Sequence, residues 1–182
     1  MPRYLALLRG VNVGRAQRVP MAVWREQLKG LGYTGVSTVL NSGNAVFDAA
    51  GRATAARHAS HIRAALRDGL RLDVPVIVKS AAEVAMIAAQ NGLATEVVAA
   101  TDASRLIVAF TGDADALQAL SVLAALVRPP ERFELGEHAA YLWCANGILD
   151  SAAGKALLGK LGRAATSRNW ATVQKLCALL AA

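Results

Sequence analysis

The sequence predicts an α+β fold in two halves that pack as one compact unit, and three observations predict it. Short apolar runs, of the roughly four to eight residues expected of buried strands, alternate with longer stretches whose apolar residues fall at helical spacing. In residues 1–80 their order reads β-α-β-β-α-β, and residues 81–182 repeat the theme less cleanly. No linker or low-complexity tract separates the two, so the boundary falls near residue 80.

Each element has a local reason. Arg3 to Leu8 is a short apolar run stopped by Arg9-Gly10. Pro20 opens a helix, because its missing N–H would have no partner in a first turn. Met21, Trp24, Leu28 and Leu31 line one face of that helix, and Gly30 and Gly32 mark its end. Val36 to Leu40 and Ala45 to Phe47 read as a hairpin, with its tight connection at Asn41-Ser42-Gly43-Asn44. Gly and Asn tolerate positive φ, which such a turn needs. A helix over 54–70 buries Ala55, Ala59, Ile62 and Leu66, and Val74 to Lys79 is the next strand. This order is the split βαβ, or ferredoxin-like, unit.

In the second half the spacing predicts a helix over 81–90, a strand over 105–110 and a helix over 113–127 that Pro129-Pro130 stops. Arg132 to Leu135 and Ala139 to Cys144 pair through Gly136-Glu137-His138. Helices over 152–161 and 170–181 close the chain.

Composition narrows the function classes. The longest strongly apolar stretch, Leu120 to Val127, is far short of the ~20 residues that cross a bilayer, so no membrane partner is expected. The first residues lack the extended apolar region and small-residue cleavage site of a signal peptide. Cys144 and Cys177 read as buried free thiols, which with the missing signal points to a reducing, cytoplasmic setting. The net charge of +7 is unevenly spread. Residues 1–80 hold 12 Lys/Arg against 4 Asp/Glu, residues 81–150 hold 3 against 9, and residues 151–182 hold 5 against none. Two basic blocks on one face would concentrate anions; solvated helix surfaces would account for the same arginines.

Three polar segments carry the candidate site. The first, Arg9-Gly10-Val11-Asn12-Val13-Gly14-Arg15, follows the first strand, and Arg9, Arg15 and Arg18 surround its glycines. Backbone N–H groups and guanidinium forks of this kind cradle anions. The spacing matches neither a P-loop nor a dinucleotide fingerprint. The second segment is the hairpin tip, where Asn41, Ser42 and Asn44 are candidate contacts and Gly43 serves the turn. The third, Thr166-Ser167-Arg168-Asn169-Trp170, precedes the last helix, which Ser167 or Asn169 would cap. A guanidinium and an indole beside a helix N-terminus suit a phosphate, a carboxylate or a stacked base.

No catalytic constellation matches these in strength. His58 and His61 stand at i, i+3, a spacing that can hold a metal, but no carboxylate or thiol lies near and Arg57 and Arg63 oppose a cation. Cys144 and His138 are six residues apart with nothing to bring them together. Glu131, Glu134 and Glu137 read as a solvated strand surface. Neither a metal nor a cofactor is expected, and no reaction is named.

The motifs resemble a known family. Leu7-Leu8-Arg9-Gly10-Val11-Asn12-Val13-Gly14, Val19-Pro20-Met21, Asn41-Ser42-Gly43-Asn44 and Thr166-Ser167-Arg168-Asn169-Trp170 with Thr172-Val173 are similar to the bacterial family called domain of unknown function 1697. Val74-Pro75-Val76-Ile77-Val78 fits its middle strand. The resemblance implies a pair of ferredoxin-like subdomains and supplies no reaction. The chain departs from the pattern at Arg15-Ala16, at Ser167 and Ala171, and at Gly154-Lys155-Ala156.

Together these features predict a binding protein for an anionic small molecule or nucleotide, held in a basic cleft between the halves. Arg9 and Arg168 would pair the anion, Asn12, Asn41 and Asn169 would orient it, and Trp170 would wall the pocket, with Gly14, Ser42 and Asn44 beside them. The alternatives are a nucleic-acid-binding module that displays Tyr4, Phe47, Tyr141 and Trp143 on open sheet faces, an enzyme whose catalytic group the sequence does not reveal, and a scaffold in which every polar segment is a cap or turn.

Overall fold

A computed structural model describes residues 1–12, 18–97 and 102–182. It is an α+β structure with two four-stranded antiparallel sheets. The chain divides into two compact units, Met1–Val84 with Leu176–Ala182, and Ala85–Lys175.

The first unit runs β1 (Arg3–Leu8), α1 (Met21–Gly30), β2 (Thr34–Val39), β3 (Asn44–Asp48), α2 (Ala55–Leu70) and β4 (Val76–Ser80), with strand order β2-β3-β1-β4. The most apolar strand, β1, takes a central position, antiparallel to β3 on one side and β4 on the other. Tyr4, Ala6 and Leu8 alternate onto the face that packs Trp24 and Leu28 of α1 and Ile62 and Leu66 of α2. Leu5 and Leu7, on the other face, are fully buried as well, which is why β1 reads as an unbroken apolar run. Each large side chain buried in this way stabilises the fold by about 1.5–3 kcal/mol. Pro20 stands just outside α1 in an extended conformation (φ −61°, ψ 132°). The Thr54 hydroxyl caps α2 by accepting from Arg57 N at 3.2 Å.

Ser80 and Glu83 form a reciprocal cap on α3 (Ala81–Ala89): Ser80 N donates to Glu83 Oε2 at 2.8 Å, and Glu83 N donates to Ser80 Oγ at 3.2 Å. The second unit continues with α4 (Gly92–Val97), β5 (Leu106–Thr111), α5 (Ala114–Gln118), β6 (Arg132–Leu135), β7 (Ala139–Trp143), α6 (Ala152–Leu158), β8 (Ala165–Asn169) and α7 (Trp170–Ala181). Its strand order is β6-β7-β5-β8, so β5 occupies the position that β1 holds in the first sheet. The last residues of α7 join the first unit, where Arg3 donates to Leu179 O at 3.2 Å.

Two elements differ from expectation. The helix predicted over 113–127 is only five residues of α-helix, continued by a 3-10 segment over Ala119–Leu126. Leu117, Leu120 and Leu123 are all buried, and their spacing of three brings them into closest line when the chain has about three residues per turn. The segment predicted as a cap and turn, Thr166 to Asn169, is an edge strand: β8 pairs antiparallel with β5 from Ile107↔Asn169 to Thr111↔Ala165. Polar residues conceal a strand whose stability comes from its ladder with an apolar neighbour.

Candidate functional site

Gly10 (φ 67°) turns the chain out of β1, and Asn12 adopts the same left-handed conformation (φ 57°). Among non-glycine residues Asn is one of the few that tolerate it. The Asn12 side chain then closes the loop on itself. Its Oδ1 accepts from Val19 N at 2.9 Å, and its Nδ2 donates to Val19 O at 2.9 Å and to Asn41 O at 2.6 Å. One amide therefore joins the start of the loop, its end and the tip of the β2–β3 hairpin. Gly14, with Arg15, lies outside the described residues.

The hairpin tip is held from its other side. Fully buried Asn44 donates to Val39 O at 3.0 Å and to Ser42 Oγ at 3.2 Å. Leu8 N donates to Gly43 O at 2.9 Å. A Cβ on Gly43 would come within 2.7 Å of both Leu8 and Val11, so only glycine lets the tip settle this closely onto β1. The left-handed turn positions are Leu40 (φ 56°) and Gly43 (φ 74°); Gly43 was expected there together with Asn44, which instead belongs to β3.

These contacts leave a pocket of about 360 Å³, lined among the described residues by Asn12, Arg18, Val19, Pro20, Met21 and Asn41. Asn12 belongs to its frame, because both amide hydrogens are committed. Asn41 is exposed, with its backbone carbonyl used and its side chain on the pocket wall. Arg18 is exposed, and no hydrogen bond or ion pair among the described residues engages its guanidinium. Helix α1 begins at the same wall with no side-chain cap and no acidic residue in its first turn, so its own first turn leaves its positive end unneutralised. Arg9 is half-buried, its N–H donating to Pro75 O at 3.1 Å, and it is not part of the lining. The site thus includes Arg18, which flanked the loop in sequence, and a Val19–Pro20–Met21 wall that no polar motif announced.

The charge of the first unit favours anions here. The acidic residues of 1–80, Glu26, Asp48, Asp68 and Asp73, each pair with a basic neighbour: Lys29, Arg3, Arg67 and Arg63. The remaining excess is therefore positive, and Arg18 brings part of it to the pocket. Arg25, one helical face further on, donates to Thr38 Oγ1 at 2.7 Å.

The residues predicted in the second unit have local partners. Arg168 donates to Thr166 Oγ1 at 2.9 Å and to Ser167 O at 2.7 Å, and burial pulls its pKa down to about 10, which leaves it charged at neutral pH. Asn169 caps α7, its Oδ1 accepting from Thr172 N at 2.9 Å. Trp170 is buried.

The other groups weighed from sequence are absorbed by the cores. His58 lies in the core, where its Nδ1 pairs with the Tyr33 hydroxyl at 2.8 Å among the rings of Tyr4, Tyr33 and Phe47, whereas His61 is exposed. Burial, with the charges of His61 and Arg57, holds the His58 pKa below its usual value. Tyr4, Phe47, Tyr141 and Trp143, which the nucleic-acid alternative needs on open sheet faces, are all buried. Tyr141 donates to Ile87 O at 2.7 Å, and burial raises its pKa to about 12. Burial likewise pushes the Cys144 thiol up to about 11.

Residues 1–141 match the family described as Protein of unknown function (DUF1697), and the chain belongs to that family. The fold is similar to the structure of the conserved bacterial protein SP0830 from Streptococcus pneumoniae, with a TM-score of 0.80 and 23% identity over 98% of each chain. No curated protein matches the chain.

Proposed function

We propose, taking membership of that family as the premise, that the chain binds an anionic small molecule in the pocket of the first unit. The observation that carries this reading is the pocket: it brings an unengaged Arg18 guanidinium and the Asn41 amide to one wall beside the uncapped start of α1. Arg18 forks onto the anion, and hydrogen bonds to a charged group contribute about 1.5–3 kcal/mol. Asn41 orients the ligand, while Asn12, Ser42 and Asn44 hold the frame, and Arg9 and Gly14 stay candidates on the sequence motif alone. Arg168, Asn169 and Trp170 of the second unit are candidates for a further contribution.

The same reading describes each half, near 1–80 and 81–182, as a ferredoxin-like unit. The order β-α-β-β-α-β with the sheet order β2-β3-β1-β4 supports it, because β1 and β2 then run parallel with β3 between them. A cytoplasmic location fits two free cysteines, one of them fully buried.

Thermal shift against nucleotides, sugar phosphates and carboxylates tests the function. A ligand at 100 times its Kd adds about 2.7 kcal/mol of stability, and Arg18→Gln is expected to weaken it about 10- to 100-fold. Hits that survive Arg18→Gln unchanged would refute the assignment. Arg168→Lys, measured alongside, reports whether the second unit takes part.

A further inference from the structure

We infer that Asn91 holds an ordered water molecule inside the second unit, at the corner where α3 passes into α4. The inference stands apart from the pocket of the first unit and does not rest on it.

Asn91 is only 3% exposed, and its neighbours in the corner, Ile87 and Leu93, are fully buried. The backbone here is satisfied: Gly92 N donates to Gln90 O at 2.9 Å, and Ala94 N donates to Asn91 O at 3.1 Å. The side chain is not. It stands where an asparagine normally caps a helix, yet neither its Oδ1 nor its Nδ2 has a hydrogen-bond partner among the described residues. An amide offers two donor hydrogens and an acceptor oxygen, and burying them unpaired forfeits the hydrogen bonds they make in water. Other buried polar groups of the protein are paired. Tyr141, in the same unit, donates to Ile87 O at 2.7 Å, and fully buried Asn44 makes two bonds. Where the chain itself supplies no partner, ordered water is the usual one.

The chemistry of the corner selects water over an ion. Glu134 of β6 lies against it, since a Cβ on Gly92 would come within 2.9 Å of the Glu134 Oε2. This carboxylate is half-buried, and no hydrogen bond or ion pair among the described residues engages it. A cation would suit Asn91 Oδ1 and the carboxylate but leave the Nδ2 hydrogens unpaired beside a positive charge. An anion would suit Nδ2 but meet Glu134. Water donates to an oxygen and accepts from an N–H, so it serves both ends of the amide.

The test is a high-resolution crystal structure of the full chain, joined to an NMR measurement of nuclear Overhauser contacts between water and the Asn91 side-chain NH₂ on ¹⁵N-labelled protein. The expected result is a water at roughly 2.7–3.2 Å from Oδ1 or Nδ2, with an Overhauser contact to the NH₂. An amide paired with a protein group, or density at ~2.3–2.6 Å from Oδ1 with further oxygen ligands, as a cation would show, overturns the inference. Asn91→Leu keeps the side-chain volume and gives water nothing to bond. It is expected to lower Tm by about 2–4 °C. A Tm equal to or above that of the unchanged protein overturns the inference too, because replacing a polar group that has no partner by an apolar one of the same shape is neutral or stabilising. If the leucine variant does not fold, the crystal and the Overhauser contact of the unchanged protein still decide.

Discussion

Replacing Asn12 tests whether this side chain frames the pocket. Asn12→Ala removes three hydrogen bonds, of 2.9, 2.9 and 2.6 Å. At a net ~0.5–1.5 kcal/mol each they contribute about 1.5–4.5 kcal/mol. Alanine must also hold φ near 57°, which costs a further ~1–2 kcal/mol. The loop lies at the surface and can open locally, which limits the global loss to about 2–4 kcal/mol. Asn12→Gly removes the same bonds and keeps the backbone relaxed, so it should be the milder change by about 1 kcal/mol. Asn12→Asp retains the acceptor for Val19 N but sets a carboxylate against two carbonyl oxygens, and should be no better than glycine. Urea unfolding measures all three. With a slope of roughly 2–3 kcal/mol/M, the alanine variant should shift the midpoint by about 1 M. An alanine variant within ~0.5 kcal/mol of wild type, or a glycine variant worse than alanine, would refute the argument.

Gly43→Ala should cost about 2–4 kcal/mol, since it combines a strained left-handed position (φ 74°) with contacts at 2.7 Å to Leu8 and Val11; a neutral effect in the same urea assay would mean that the tip has room to move. Stability should fall with acid through His58. The folded protein holds this ring neutral below its usual pKa, so the unfolded chain takes up its proton first as pH drops below ~6.5. The loss reaches at most ~1.4 kcal/mol per pH unit and ends below the folded pKa, and His58→Gln should flatten the profile between pH 7 and 5; an unchanged slope assigns it to other groups. Cys144 is fully buried with its thiol pushed up to about 11, so a thiol reagent at pH 8 should reach it only on unfolding. Labelling at the rate of an exposed thiol would contradict that burial.

Much of the scaffold was legible because periodicity reports burial directly. Arg3 to Leu8, Arg132 to Leu135 and Trp170 to Ala181 are elements with the expected bounds. The misreadings have particular causes. Leu117, Leu120 and Leu123 fit both a helix of 3.6 residues per turn and a tighter one, and their packing selected the latter. Thr166 to Asn169 lacks apolar alternation, so only its pairing with β5 reveals a strand. At the site, Asn12 and Asn41 stood out as polar residues at turns. Their chemistry was visible, but sequence does not say which hydrogen bonds are already made, and Asn12 is used internally while Arg18 is not.

By itself the sequence determined the alternation of strands and helices, the burial of the β1 run, the turns at Gly10 and Gly43, and the uneven charge. Those follow from side-chain chemistry and short-range sterics, which act over a few residues. Tertiary structure alone decided that β8 completes the second sheet, that His58 is enclosed by three aromatic rings, and that Asn12 reaches Asn41 across 29 positions of chain. Such partners are distant in sequence, and only the folded path of the backbone brings them within hydrogen-bonding reach.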